Sequence, residues 1–364
     1  KGGLLLGAFY IAYGISNLIL SAFAARIGPR RSLIALVFLF SIFTMLGAPL
    51  SYSLALFIGT RVCLGLGEGV HFPMMNTVIK HWFPVHERSR ANAIWVFGST
   101  LAMLTMPFIL VPVISHFGWK AMLVGCGALG MVVTIPLLYL FIFDTPRDSR
   151  WISDAEAEYI ESHMERDAPT PADWSFLKAP IFWMAVCGGI LNNYCAYGVI
   201  NWLPTYLVNS RGIDFSELWY AASLPYVAGV FSFLLFAYLG DKMNRRISLA
   251  GFGFLGATVS IFLAIKAPNV PLAVLAFSCG TFCQTAFVTQ EFAIIQRILP
   301  AAIIGKATGV YNGTSMLLGA VGGTVLLGQI VSLTGSYDAG LYSVVTAAIL
   351  GCAVMLVLSR FVKY

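Results

Sequence analysis

The chain has 364 residues, of which 59% are hydrophobic and only 10% charged, with a formal net charge of +6. A water-soluble fold cannot enclose that much apolar surface, so the composition excludes a soluble enzyme or binding domain and requires a chain that crosses a membrane many times. The positive charge gathers in a few short loops, a pattern that sets membrane orientation rather than one that grips nucleic acid.

Crossing the hydrocarbon core takes roughly 20 apolar residues in a helix. Eleven stretches qualify: 3–25, 32–50, 54–79, 91–115, 119–143, 178–208, 215–240, 247–266, 270–297, 304–332 and 338–360. The connections "RIGPRR" (26–31), "KHWFPVHERSR" (80–90) and "KMNRR" (242–246), with the stretch from Arg297 to Lys306, carry the positive charge. The opposite connections carry Lys120, Arg211 and Lys266 singly. The positive-inside rule makes the first set cytoplasmic, and the C-terminal "RFVKY" with them. All seven cysteines (Cys63, Cys126, Cys187, Cys195, Cys279, Cys283 and Cys352) fall within apolar runs without metal-ligand spacing, and are expected to be small core residues.

The first span, 3–25, supplies Tyr10, Tyr13 and Asn17. The third, 54–79, holds "RVCLGLGEGVHFPM", with Arg61 and Glu68 seven residues apart. That separation is nearly two helical turns, so both project from one face about 10 Å apart, and His71 and Phe72 continue it. A charge at the centre of a span costs roughly 2.5–3.5 kcal/mol, and residues that carry this cost line a cavity or pair internally. A structural ion pair is one reading. The other has Arg61 attracting an anion and Glu68 carrying a proton, since protonation relieves the cost of an ionised carboxylate. Gly59, Gly65, Gly67 and Gly69 permit a neighbouring helix to approach closely. The next span adds Ser99 and Thr100.

The stretch 144–177 is polar. Ser153 and Glu156 stand in capping-box spacing at the start of a short helix whose apolar stripe is Ile152, Tyr159, Ile160 and Met164. The stripe suits the cytoplasmic membrane surface, and an ordinary linker helix is the alternative. The chain then divides into a bundle at 1–143, a linker at 144–177 and a second bundle at 178–364. Within the second, Asn192, Asn193, Tyr194, Tyr197, Thr289, Gln290, Glu291 and Asn312 lie inside spans. Each alone suits helix packing, whereas together they suit a hydroxylated or carboxylated ligand at the membrane midplane.

A constant shift of 216 residues brings "IKHWFP", ending at Pro84, onto "IQRILP", ending at Pro300, and "RANA" at Arg90 onto "KATG" at Lys306. The two copies run in the same direction, the signature of a parallel repeat. The span at 178–208 has no partner ahead of it, so the expected protein has six spans plus six, with the first absent from this chain. Glu68 falls on Gln284, so the proton-carrying group belongs to one copy only.

"SAFAARIGPRR" resembles the loop signature of the major facilitator superfamily, G-x-L-A-D-R-x-G-R-R, and "AYLGDKMNRR" resembles its second-half copy. The run "RVCLGLGEGVHFPMMNTVIKHWFPVHERSRA" is similar to the fourth-span signature of the anion:cation symporter family, as are "NWLPTYL" and "WISDAEAEYI" to other parts of that family. The resemblance covers the whole chain. It implies an all-α polytopic membrane fold of two six-helix bundles and a proton-coupled symporter of a small organic anion, a sugar acid before an aromatic carboxylate. Relatives include symporters for galactonate and hexuronates and animal sialic-acid and vesicular glutamate transporters. It also implies Arg61 in anion handling and Glu68 in proton coupling. Tyr13, Ser99, Gln290 and Asn312 become substrate contacts, joined on the residue reading by Asn192 and Tyr197, and Arg26, Gly28, Arg30 and Asp241 form the conformational loops. The usual loop aspartate is Ala25 in this chain. The absent first span is where many relatives carry a further coupling aspartate and a nearby arginine.

The expected energy source is the proton gradient, with no cofactor, metal or nucleic acid. The expected setting is the bacterial inner membrane, as a monomer. An exporter of drug-like or lipid-like cargo and a transporter-like sensor are the alternatives. The amides and Arg61 argue against the first, and the short C-terminus against the second. Neither HExxH nor GxSxG nor a P-loop is present, so the sequence offers no enzyme chemistry and no ATP site.

Overall fold

The computed structural model describes residues 2–83, 88–163, 174–243, 245–299 and 304–362. Pro84, Met164 and Pro300, and the side chains of Ala25, Arg26, Arg90, Asp241 and Lys306, lie outside that description. Among the described residues the regular structure is helical. Eight helical stretches are long and apolar enough to cross a membrane. The chain separates into two compact units, one of Ala8–Ser99 and His116–Pro169, the other of Lys1–Gly7, Thr100–Ser115 and Thr170–Tyr364.

The first helix, α1 (Gly2–Ile27), runs 26 residues, and the smaller unit takes it up from Ala8. Gly28, at φ 99°, turns the chain into α2 (Pro29–Leu46), a conformation glycine adopts without strain. Proline at the first helical position suits it, because the missing N–H there would have no helical partner. The third span is two helices, α3 (Leu54–Glu68) and α4 (His71–Trp82), interrupted by a turn at Gly69 and Val70 whose backbones stay in the right-handed helical region. Next, α5 (Arg88–Leu129), whose stretch Thr100–Ser115 belongs to the larger unit, is broken at Gly118, φ 79° and ψ 161°, so the two expected spans part between 115 and 119. A π turn at Gly130–Thr134 leads into α6 (Ile135–Phe141). Leu33, Leu36, Val37, Val70, Met74 and Val78 form the core of this unit. The polar stretch then yields α7 (Asp154–Ser162), whose first turn is capped as its spacing requires, the Glu156 amide donating to Ser153 Oγ at 3.2 Å. Arg147 grips Glu161 through Nε and Nη2, which ties this helix back to the segment before it.

The larger unit contains α8 (Pro180–Arg211), α9 (Leu218–Met243), α10 (Arg246–Lys266), α11 (Val270–Ile298), α12 (Ile304–Ser315), α13 (Leu327–Thr334) and α14 (Tyr337–Phe361). Two π segments, Met316–Ala320 and Gly322–Leu326, join α12 to α13. The core is larger here, with Phe182, Tyr206, Phe254, Phe277 and Tyr311 each at most 2% exposed. Arg211 is structural. Its guanidinium donates to Tyr206 Oη and to the carbonyls of Ala264, Ile265 and Ala267, satisfying the last turn of α10.

Helix boundaries follow the internal repeat. Moving α1 by 216 residues lands on α9 at both ends, and the start of α5 lands on the start of α12. The end of α4 lands on the end of α11. The turn at Gly69 has no counterpart, because α11 is continuous through Thr285. The cysteines depart from expectation. All seven are free thiols, but only Cys195 is buried, while Cys126 and Cys279 are exposed on apolar helices. A chain whose solvent is lipid does not need to hide a small apolar side chain.

Candidate functional site

In the smaller unit the candidates converge on α3. Gly65 and Gly69, four residues apart, lie directly on the backbone of α1. A Cβ on Gly65 would meet the Phe9 carbonyl, Ala12 Cβ and Tyr13 N, and one on Gly69 would meet the Tyr13 carbonyl and Ser16. Ser16 Oγ seals the contact by donating to the Leu66 carbonyl at 2.6 Å. Gly67 sits more loosely on α2, and Gly59 has open space around it, so only two of the four glycines serve the close approach foreseen for all of them.

That approach delivers Tyr13 to Glu68. Tyr13 is 8% exposed, hydrogen bonds to Asn17 and lies within electrostatic reach of Glu68 and Tyr10. Glu68 is half-buried at the last position of α3. Directly beyond the turn stand His71 and Phe72, both against Trp95 of α5, with ring centroids 5.9 Å and 4.3 Å away.

Arg61 lies two turns back along the same unbroken helix. Its guanidinium stacks on Phe57 at 4.9 Å, with Nη2 against the backbone of Gly47. Both Nε and Nη2 are buried with no acceptor among the described residues. Arg61 and Glu68 are therefore not a structural ion pair. Two buried donors on one edge of a guanidinium have the geometry that the planar fork of a carboxylate complements. Ser99 is exposed on α5.

In the larger unit Asn192 is 2% exposed on α8, and Gln284 of α11 donates to its carbonyl at 3.1 Å and to its Oδ1 at 3.4 Å. Tyr197 and Asn312 are half-buried, on α8 and α12. Gln290 differs from the other candidates. It is fully buried and both ends of its amide are engaged, Nε2 donating to the Phe236 carbonyl at 2.8 Å and Oε1 accepting from Arg246 at 3.0 Å. Its place next to a turn of backbone and a basic loop is structural in character, in contrast to the ligand contact expected of it.

Of the loop residues, Gly28 and Arg30 are described with their surroundings, and these reveal a residue that sequence reasoning missed. Asp144 Oδ1 accepts from the Arg30 amide at 2.8 Å, capping the first turn of α2, and its carbonyl meets His81 Nδ1 at 3.0 Å. Arg30 itself lies over Tyr139 and Phe143 and donates from Nη2 to the Tyr139 carbonyl at 2.6 Å. The signal was the single aspartate in "FDTP" directly after a span.

Known proteins resemble this chain along most of its length. "Probable sulfoacetate transporter SauU" of Cupriavidus necator is 26% identical over 96% of this chain and 82% of its own length. "Probable L-galactonate transporter" of Escherichia coli K12 is 26% identical over 92% of this chain and 76% of its own. Among solved structures, a D-xylose-proton symporter superposes with a TM-score of 0.79 over 99% of this chain and 87% of its own, at 17% identity, a likeness of fold. The Major Facilitator Superfamily profile matches residues 2–324. With helices of this length and composition and a profile match over most of its residues, the chain is a multi-pass membrane protein that belongs to the Major Facilitator Superfamily of transporters, not an enzyme.

Proposed function

We propose that this protein is a proton-coupled symporter of a small organic anion, of the sugar-acid class, that works by alternating access. Arg61 binds the carboxylate of the substrate. Glu68, beside Tyr13 and Asn17, carries the proton. Tyr197, Asn192 and Asn312 offer hydrogen bonds to hydroxyl groups, while Gln290 holds the fold of the larger unit. In this reading eleven helices of the chain cross a bacterial inner membrane with the C-terminus in the cytoplasm, and the proton gradient alone supplies the energy.

The observation that carries the reading is the pair of unanswered guanidinium donors on Arg61, on the same face of α3 as Glu68. Relatives whose names specify sulfoacetate and L-galactonate support an anionic cargo. An aromatic carboxylate is the second reading, favoured by the Phe72 and Trp95 rings beside the turn that follows Glu68. Competition between galactonate and benzoate for uptake separates the two.

The test is uptake of labelled galactonate into proteoliposomes that are alkaline inside, with the membrane potential held at zero. The protein concentrates the anion. Glu68→Gln mimics the protonated carboxyl, so it retains exchange of labelled for unlabelled substrate. Each coupled proton multiplies the accumulation ratio by the proton ratio, so this variant loses about tenfold at a tenfold gradient. Accumulation in the variant equal to that of the unmodified protein removes Glu68 from the proton path.

A further inference from the structure

The larger unit contains a second carboxyl group in the interior of a span, and the reading above gives it no task. Glu291 lies in α11 within the apolar stretch Val270–Ile295. Tyr311 of α12 donates its hydroxyl to Glu291 Oε2 at 3.1 Å. Tyr311 is itself 2% exposed, and the way it is held explains why it reaches the acid. Its ring lies on Gly189 of α8, where a Cβ would stand 2.6 Å from the hydroxyl oxygen and 2.7 Å from Cζ. Phe292 packs edge-on to it with centroids 6.1 Å apart.

Among the described residues no basic side chain pairs with Glu291, and Tyr311 is the titratable group that faces it. Arg246, on α10, bonds the neighbouring Gln290 instead, and Gly189 of α8 lies against the tyrosine. An ionised carboxylate at such a position is costly, and one phenolic donor does not replace a counter-charge. Glu291 as a residue is partly rather than fully buried.

The internal repeat shows that the fold does not demand this acid. Shifted back by 216 residues, Glu291 falls on Met75 and Tyr311 on Trp95, the residue that faces His71 and Phe72 in the smaller unit. Each unit thus places an aromatic residue, at one shared register, beside a titratable side chain.

We propose that Glu291, held by the hydroxyl of Tyr311, is a second proton-binding site, so that two protons, one in each unit, accompany each anion. The step is a simple transfer, in which the carboxylate takes a proton from water on one side and returns it on the other. This deepens the symport reading and rests on it for the role in transport, although proton binding itself stands without it.

Two measurements test it. Infrared difference spectra of the reconstituted protein, taken as pH is raised, report protonated carboxyl groups with no substrate present. A carboxyl band that titrates should be absent from Glu291→Gln and shifted in Tyr311→Phe, which keeps the acid but removes its donor, while the band lost in Glu68→Gln is unaffected by either. In proteoliposomes at zero potential, galactonate accumulation should follow the second power of the proton ratio. At a tenfold gradient that is about 100-fold, falling to about tenfold in Glu291→Gln. A spectrum unchanged in both Glu291→Gln and Tyr311→Phe overturns the site, and a first-power law in the unmodified protein overturns its role in transport. Titrating bands without any proton-driven uptake would instead sink the symport reading and leave the site standing.

Discussion

Arg61 offers the clearest quantitative test of the binding site. Two of its donors, Nε and Nη2, are buried without an acceptor among the described residues. A buried donor left unsatisfied costs roughly 1–3 kcal/mol, and a carboxylate that meets both in a two-pronged contact recovers that cost. Truncation by Arg61→Ala should therefore weaken a carboxylate ligand by about 2–4 kcal/mol, roughly 30- to 700-fold in Kd. The same change should leave the neutral amide of that ligand within a few-fold. Stability of the empty protein should not fall, because the change removes two donors that have no acceptor among the described residues and loses only stacking on Phe57, about 0.5–1 kcal/mol. Lysine should not restore affinity, since a point charge cannot form the fork. Calorimetric titration of purified protein with galactonate and with its amide reads the contrast. Equal losses for both ligands, or a large fall in Tm, would refute the anion-binding role and make Arg61 a packing residue.

Two further substitutions separate the site from its scaffold. Gly65→Ala drives a methyl group into the carbonyl of Phe9, which as backbone cannot swing aside, and should destabilise the protein by about 1–3 kcal/mol, read as a fall in Tm, whereas Gly59→Ala, facing open space, should not. Asn312→Leu should weaken binding of a hydroxylated anion by roughly 1–3 kcal/mol at unchanged Tm, while Gln290→Leu, by taking an acceptor from Arg246, should lower Tm and leave selectivity alone. The reverse pattern would return Gln290 to the site.

The residues most legible in the sequence were those that carry a visible cost. Arg61 and Glu68 stand out because a charge inside an apolar run has few uses, and their seven-residue spacing already fixes a shared face. The repeat was equally legible, since one constant shift predicts helix ends to the residue for α1 and α9. Less visible was anything whose meaning lies in a partner distant in sequence. Glu291 and Tyr311 were both in view, but nothing in a linear reading tells which polar residues of neighbouring helices meet. Gln290 was assigned to the ligand because an amide inside a span has the same appearance whether it faces a cavity or a backbone carbonyl. Asp144 escaped for the opposite reason, as an acid in a polar stretch costs nothing and attracts no notice. The interruption at Gly69 was hidden because a glycine placed for packing has the same appearance in a sequence.

The close contact between α1 and α3 also bears on motion. Gly65 and Gly69 leave room for the Phe9 and Tyr13 carbonyls and for the side chains of Ala12 and Ser16, where any Cβ would clash. A shift of one helix along the other would bring the side chains that flank those glycines against the same backbone, so the contact fixes a single register. The two helices therefore move as one piece, and Glu68 keeps its place beside Tyr13 whatever the rest of the bundle does.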